Sequence, residues 1–155
     1  CARAMHNLER ILKKGEAYAV ERRIDPAVIL NSRLALDMFP LLRQVQVASD
    51  TAKGAGARLA GIEVPRFEDT EQGFADLYKR IDRTLEFLSS IEPAQVDGSE
   101  DRTIVLKLHK EVRFTGIDYL FGFALPNLAF HVATAYGILR HNGVDVGKRD
   151  FLGEY

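Results

Sequence analysis

The sequence predicts an all-α fold, a four-helix bundle with a short β-hairpin or extended excursion between the third and fourth helices. Four long segments carry apolar residues at helical spacing, and a β-rich stretch interrupts them only within residues 92–116. The 155 residues are 46% hydrophobic and 28% charged, the balance of an ordinary globular protein. Amphipathic helices bury their apolar faces most simply against each other, so a single bundle domain over residues 1–155 is expected.

The first helix is predicted over residues 3–22, with an interruption near Gly15. Asp25-Pro26 is typical of an N-cap followed by the first helical position, so a short helical turn over 26–31 should follow. The apolar residues of the first helix recur at helical spacing: Met5, Leu8, Ile11, Leu12 and Tyr18.

The second helix is predicted from about Ser32 to Leu59, with Gly61 as its C-terminal cap. Pro40 lies in the first third of this segment. Because proline lacks an N–H and crowds the preceding turn, it either kinks the helix or marks its true N-terminal turn. The apolar stripe comprises Leu34, Met38, Leu41, Leu42, Val45, Ala48, Ala52 and Leu59.

The third helix is predicted to be capped by Asp69 or Thr70, with Gln72 in a capping-box arrangement, and to end near Ser90. The following segment, 104–114, alternates partly between apolar and polar residues, and this pattern predicts the hairpin or extended excursion. The stripe of the third helix comprises Phe74, Leu77, Ile81, Leu85 and Leu88.

The fourth helix is predicted over roughly Ile117 to Arg140, with Pro126 inside it and Gly143 closing its C-terminal end. It is apolar and aromatic around its whole circumference. Such a helix is typically buried in the middle of its bundle.

A pair of polar residues, Asn127 and His131, lies four residues apart in this apolar helix, so both side chains should share one face. Histidine binds transition metals, whereas asparagine is a poor ligand for most of them. His131 is either a core histidine bonded to a neighbour or a ligand or general base. Asp37, in an apolar run, needs a partner if it is buried, and His131 is a candidate; Gln44 is seven residues later on the same face. The predicted pocket or polar network is therefore Asp37, Gln44, Asn127 and His131.

Several function classes receive no support from the sequence. Twenty-one basic and 22 acidic residues nearly cancel, so neither nucleic acid nor an anionic membrane is an expected partner. No segment has the ~20 consecutive apolar residues of a membrane span. A glycine-rich phosphate loop and paired-cysteine metal spacing are both absent from the sequence. The single cysteine, Cys1, favours a reducing, cytoplasmic location, and because the chain starts without Met inside a helical pattern, we expect residues before it.

Long runs of this sequence resemble the DUF1993 family, and the resemblance covers nearly the whole chain. It implies a helical bundle of the DinB/YfiT-like type. The runs that carry it are 33–50, 57–65, 67–71, 123–131 and 141–153.

The wider DinB-like superfamily binds a divalent metal through three histidines, one on the second helix and two in a His-x-x-x-His arrangement on a later one. By this resemblance His131 matches the second histidine of the pair, and Asn127 takes the place of the first. Asp37 or Gln44 is nearest to the remaining ligand. The resemblance thus implies a degenerate site, in which His131, Asp37 and Asn127 would hold a divalent metal weakly.

Two functions follow from these expectations. One is a structural or small-ligand-binding role, in which the polar residues form a buried hydrogen-bond network. The alternative is a metal-dependent enzyme of the DinB-like thiol transferase or isomerase type. DinB-like bundles commonly pair, and the aromatic fourth helix suits burial by a second chain, so a homodimer is expected.

Overall fold

The computed structural model describes residues 1–107 and 109–154, and it confirms a mainly helical fold with one small antiparallel sheet. In chain order the elements are α1 (Ala2–Arg22), α2 (Pro26–Leu30), α3 (Leu41–Ala60), α4 (Phe74–Ser89), α5 (Pro93–Val96), β1 (Ile104–Lys107), β2 (Glu111–Phe114), α6 (Gly116–Asp118), a π-helical segment (Tyr119–Ala124), α7 (Leu125–His141) and α8 (Lys148–Leu152).

Four helices, α1, α3, α4 and α7, form the bundle. Helix α3 packs against both α7 and α4, and α1 packs against α4 and α7. Their apolar stripes meet in one core cluster, as the helical spacing predicts. Its fully buried members include Met5, Leu8, Leu41, Val45, Leu77, Ile81, Val132 and Ile138.

The predicted excursion is an antiparallel hairpin, in which Ile104 pairs with Phe114 and Lys107 with Glu111. Ile104 and Leu106 are buried while Val105 and Lys107 are exposed, which is the period of a strand with one covered face. The covered face packs in a second, smaller core cluster with Leu59 of α3 and with Tyr119. A two-stranded sheet is stable here because this packing supports it.

Helix α1 is continuous, so the predicted interruption near Gly15 is wrong. A Cβ atom at Gly15 would lie 2.7 Å from Cδ2 of Leu139 on α7. The glycine therefore marks a close approach of two helices, for which only a hydrogen leaves room.

Helix α3 begins at Leu41, about nine residues later than predicted, and the proline explains why. Pro40 is its N-cap residue, with extended backbone at φ −69° and ψ 166°. Of the two expected outcomes, the proline marks the start of the helix. Residues 31–40 consequently form a loop outside the helix. Leu34 leaves the predicted stripe and is 45% exposed, and Leu36 in the same loop is 95% exposed.

Helix α4 begins at Phe74 with Gly73 as its N-cap, so the predicted caps at Asp69 and Thr70 are wrong. Asp69 instead pairs with arginines, as described below. The predicted C-terminal end near Ser90 is confirmed, because Ser90 is the C-cap residue.

The fourth predicted helix runs from Gly116 to His141 through α6, the π-helical segment and α7. The wide turn precedes Pro126, and the Leu125 N–H bonds the carbonyl of Leu120, five residues back. A wider turn relieves the crowding that proline imposes on the preceding carbonyls.

The expectation that this helix is buried around its whole circumference is wrong. Phe121 and Phe130 are 63% and 56% exposed. By length and composition alone the helix could cross a membrane, yet it packs against α1 and α3 as a core element of the bundle. Only 44% of its most apolar window is buried, so the helix keeps an uncovered apolar side.

Candidate functional site

Two polar pairs cross the contact between α3 and α7. Gln44 meets His131, and Thr51 meets Asn127. The higher number on α3 goes with the lower number on α7, so the helices are antiparallel. Within each helix the two polar residues are one or two turns apart on one face, which places both pairs along a single line in the contact.

The Gln44–His131 pair is buried and has a defined orientation. Nδ1 of His131 lies 2.7 Å from Oε1 of Gln44, and the two residues are 7% and 1% exposed. The Gln44 Nε2 group donates to the backbone carbonyl of Phe39 at 2.9 Å. A carbonyl oxygen only accepts, so the amide nitrogen must face Phe39 and the amide oxygen must face the ring.

This orientation fixes the tautomer of His131. An amide oxygen also only accepts, so Nδ1 carries the proton and donates it to Gln44. Nε2 is then left with a lone pair. Burial, and then the positive charge of nearby Arg43, lower the pKa of His131, so the ring is neutral at neutral pH.

The Nε2 atom of His131 retains contact with solvent. No hydrogen bond to it occurs in the described part of the chain, and among the same residues every side-chain nitrogen or oxygen sealed from solvent has a partner. The ring of Phe130 stands edge-on to the imidazole, with 5.2 Å between ring centroids. The site therefore presents one unprotonated nitrogen beside an exposed aromatic ring.

In the second pair, Asn127 Nδ2 donates to Thr51 Oγ1 at 2.8 Å. Asn127 is half-buried and Thr51 is 9% exposed. Sequence reasoning did not single out Thr51. Its position seven residues after Gln44, on the same face of α3, was the available signal.

Asp37 takes no part in this line, and the expected pairing of Asp37 with His131 is not formed. Because α3 starts at Leu41, Asp37 lies exposed in the loop 31–40. Gln44 fills the role that was considered for Asp37, since it supplies the acceptor for the ring. Of the four predicted network residues, the structure thus places Gln44, Asn127 and His131 in the α3–α7 contact.

The nitrogen and oxygen atoms of this site that could bind a metal are all neutral. They come from one imidazole, two amides and one hydroxyl, and hydrogen bonds engage Nδ1 of the imidazole and both amides. Within residues 1–107 and 109–154, no three His, Cys, Asp or Glu side chains come close enough to share a metal ion. Tight divalent sites draw on several imidazoles, thiolates or carboxylates, which this set does not provide.

A second polar cluster, centred on Arg80 of α4, was missed by sequence reasoning. Arg80 is 2% exposed, and its guanidinium donates four hydrogen bonds and forms a further ion pair with Asp69. The sequence around Arg80 gave no sign of this cluster, because the partners come from α3 and from the connector before α4. They are Ser49 Oγ, Asp50 Oδ1, the Glu68 carbonyl, Asp69 Oδ1 and Glu71 Oε1.

The Arg80 cluster fastens the connector 61–73 to the bundle. Burial alone would raise the pKa of Glu71, but hydrogen bonds from Arg80 and Gln46 outweigh it and hold that pKa below its usual value. Phe67 of the connector lies against two further cations, with Lys53 Nζ 4.1 Å and the Arg83 guanidinium 4.2 Å from the ring centroid. The positive and negative charges of the cluster therefore compensate each other. Its contacts join α3, α4 and the connector 61–73.

An apolar cleft lies elsewhere in the described part of the chain. It has a volume of about 310 Å³ and opens between α1, α7 and α8. None of the predicted site residues lines it. Its walls include Arg3, Asn7, Leu125, Leu128 and Phe151.

Comparison with known proteins gives a family and a structural relative. The profile of a domain of unknown function, DUF1993, matches residues 1–152. A crystal structure of a DinB family member protein from Shewanella denitrificans is similar, with 43% sequence identity and a TM-score of 0.90. The similarity covers 99% of this chain and 88% of that one. Comparison with curated proteins found no match. The chain is a member of the DUF1993 family and shares the helical-bundle fold of the DinB family.

Proposed function

We propose that this chain is a DinB-like bundle in which hydrogen bonds stand where the wider superfamily has a metal centre, and that its role is structural or ligand-binding. One observation carries the proposal. The buried Gln44 amide is bonded on one side to the Phe39 carbonyl and on the other to His131 Nδ1. This arrangement satisfies every group it contains except the one nitrogen that faces solvent.

The residues present do not fit a resident divalent metal. A metal at Nδ1 of His131 would have to displace the Gln44 amide oxygen, leaving a buried acceptor unpaired. A metal at Nε2 would have one imidazole ligand, with neutral Asn127 and Thr51 a turn away and Asp37 outside the contact. Hydrogen bonding is the chemistry that these atoms support.

The polar pairs act on helix register. Sliding α7 along α3 by one turn would separate Gln44 from His131 and Thr51 from Asn127 together. A buried donor or acceptor left unpaired costs about 1–3 kcal/mol, so the correct alignment is favoured over slipped ones. Apolar contacts alone would discriminate less between neighbouring registers.

The same site can accept one hydrogen bond from a small ligand. Nε2 of His131 is an unprotonated acceptor, and the exposed ring of Phe130 stands edge-on to its imidazole. This combination suits an uncharged ligand with a hydroxyl or amide donor beside an apolar part.

Elemental analysis of untagged protein, combined with nitrogen-detected NMR of the imidazole, tests the proposal. We expect no stoichiometric metal, and a neutral His131 protonated at Nδ1. Stoichiometric metal on the wild-type chain, lost in His131→Ala, would refute it in favour of the metal-dependent transferase or isomerase.

A gain-of-function variant provides the matched control. Gln44→His with Asn127→His supplies imidazoles at the two positions beside His131. If these positions correspond to the superfamily ligands, the double variant should bind one Zn²⁺ per chain while the wild type binds none. Failure of the folded double variant to bind zinc would contradict the assignment of the degenerate positions.

A further inference from the structure

A further cleft opens near the C-terminal end of α3, where the loop 97–102 meets the π-helical segment, and its volume is about 250 Å³. Leu59 of α3 and Leu120 of the π-helical segment line it, and both also belong to the second core cluster. Phe121 lines it as well, although that side chain is 63% exposed. The cleft therefore has apolar walls that are continuous with the second core cluster and reach the surface.

The backbone around this cleft is held in place by hydrogen bonds and one close contact. The Ile117 N–H donates to the Glu100 carbonyl at 3.0 Å, and the Arg102 N–H donates to the Ser99 carbonyl at 3.1 Å. A Cβ atom at Gly116 would lie 1.8 Å from that Ser99 oxygen, so the loop and the helix touch where only a glycine fits. A wall that is already formed loses little conformational entropy when a ligand binds.

The charged groups that line the cleft are acidic. Asp97 and Glu100 are both exposed at its edge. The ion pairs of the described chain join other acids, and neither of these two is among them. Arg102 is engaged at the end of α3, where its guanidinium donates to the Leu59 carbonyl, and it does not line the cleft. Two carboxylates are therefore available to a cationic ligand.

Ser99 contributes a buried hydroxyl to the same cleft. The residue lines the cleft and is 5% exposed, and within residues 1–107 and 109–154 its Oγ atom makes no hydrogen bond. Every side-chain nitrogen or oxygen of those residues that is sealed from solvent has a partner, so this oxygen is not sealed. Its remaining accessible surface therefore faces the cleft. Buried hydroxyls are normally bonded, and this one is open to a ligand.

We propose that this cleft binds a small organic amine with an apolar body. The ammonium group donates to the carboxylates of Asp97 and Glu100 and to Ser99 Oγ, and the apolar body packs on Leu120 and Phe121. An ammonium carries three N–H donors, which matches the three acceptors offered here. The cleft holds the volume of about eight waters, so the ligand has on the order of ten non-hydrogen atoms.

The donor set favours an amine over a metal ion or an anion. Hard divalent cations need six or more oxygen ligands around one point, and no three acidic, histidine or cysteine side chains come together in the described ranges. An anion would be repelled by both carboxylates. The proposal does not rest on the function proposed above, because neither Gln44 nor His131 lines this cleft.

An NMR titration of the full chain with 2-phenylethylamine tests the site. We expect amide signals of residues 97–100 and 117–121 to shift and to saturate at millimolar amine. The neutral 2-phenylethanol has the same ring without the charge and should bind about fivefold more weakly. Phenylacetate has the same ring with the opposite charge and should leave these signals unchanged.

Substitutions at the three acceptors test which groups hold the ammonium. Asp97→Asn, Glu100→Gln and Ser99→Ala should each raise the Kd for 2-phenylethylamine about threefold to fivefold. Asp101→Asn is the matched control, because this acid is exposed in the same loop but does not line the cleft. It should change the Kd by less than about twofold. The amide spectrum of each variant without ligand shows that its fold is retained.

Three results would overturn the proposal. The first is a wild-type titration in which the signals of residues 97–100 and 117–121 do not move. The second is phenylacetate shifting those signals as strongly as the amine does. The third is an Asp101→Asn variant that weakens binding as much as Asp97→Asn, since a general attraction by the acidic loop would then account for the binding.

Discussion

At the scale of single residues, Gln44 decides what His131 can do. An amide carries its donor and its acceptor on separate atoms, so it can donate to a carbonyl and accept from a ring at the same time. Gln44 does both, and the backbone carbonyl of Phe39 sets its orientation. The chemical state of a histidine on α7 is thus controlled by the backbone of a loop before α3.

Removal of the Gln44 amide should be costly. In Gln44→Leu the Phe39 carbonyl and the His131 Nδ1–H both lose their partner, and we expect about 1–3 kcal/mol less stability in urea unfolding. Thr51→Val is the control, because half-exposed Asn127 can bond water instead and the loss should stay below about 1 kcal/mol. Equal losses for the two variants would contradict the special position of Gln44.

The pH dependence of stability should report the state of His131. Its pKa is lowered in the folded chain, so between the folded pKa and the usual value of about 6.5 the unfolded chain binds more protons. The stabilisation is therefore complete above pH ~6.5 and is lost as the pH falls through the folded pKa. We expect the melting temperature to drop on acidification from pH ~7.5 to ~5, and His131→Gln to flatten that slope. If the melting temperature of the variant depends on pH as steeply as that of the wild type, a group other than His131 is responsible for the slope.

At the scale of elements, the sequence predicted the helices better than their starts. Asp25-Pro26 was informative because the Asp25 carboxylate caps the Ala27 N–H at 2.9 Å, a local interaction. Pro40 was informative for the same local reason, because one of its two expected effects, marking the start of the helix, is the one observed. Asp69 misled, because its pairing with Arg80 depends on a side chain eleven positions away. Local signals are readable from sequence, whereas pairings made by the tertiary fold are not.

The connector 61–73 should depend on Arg80. Arg80→Met keeps much of the volume but leaves the carboxylates of Asp50, Asp69 and Glu71 without their common cation. Because these acids are partly exposed, we expect a loss of about 2–3 kcal/mol, less than for a fully buried pair. Arg83→Met, which removes only a contact with the Phe67 ring, should cost less than about 1 kcal/mol. Urea unfolding measures both, and a small effect at Arg80 would show that the connector is held by apolar packing.

At the scale of the whole molecule, the site could be located but not assembled from sequence. Asn127 and His131 were recognisable by their spacing. Their partners Thr51 and Gln44 depend on how α3 and α7 are aligned, which is a property of the bundle. Asp37 was misplaced because the start of α3 was misplaced, so one error in a helix boundary propagated into the site.

Alanine should have opposite effects on stability at two glycines, because Gly15 lies in the close approach of α1 to α7 and Gly122 does not. Gly15→Ala would press on Leu139, which is fully buried, and we expect a net loss of about 1 kcal/mol. At Gly122 no atom lies within 4 Å of an added Cβ, so Gly122→Ala should gain about 0.5–1 kcal/mol from helix propensity. Thermal unfolding of both variants gives the sign, and stabilisation at both positions would contradict the tight contact at Gly15.

The five-partner bonding of Arg80 also bears on how related sequences can diverge. A change at position 80 alone removes the one cation that Asp50, Asp69 and Glu71 share, and a change at any one of these acids removes a partner from a buried guanidinium. Each single step is disfavoured, while joint replacement by apolar residues need not be. Positions 50, 69, 71 and 80 should therefore vary together among relatives, with the intermediate combinations rare.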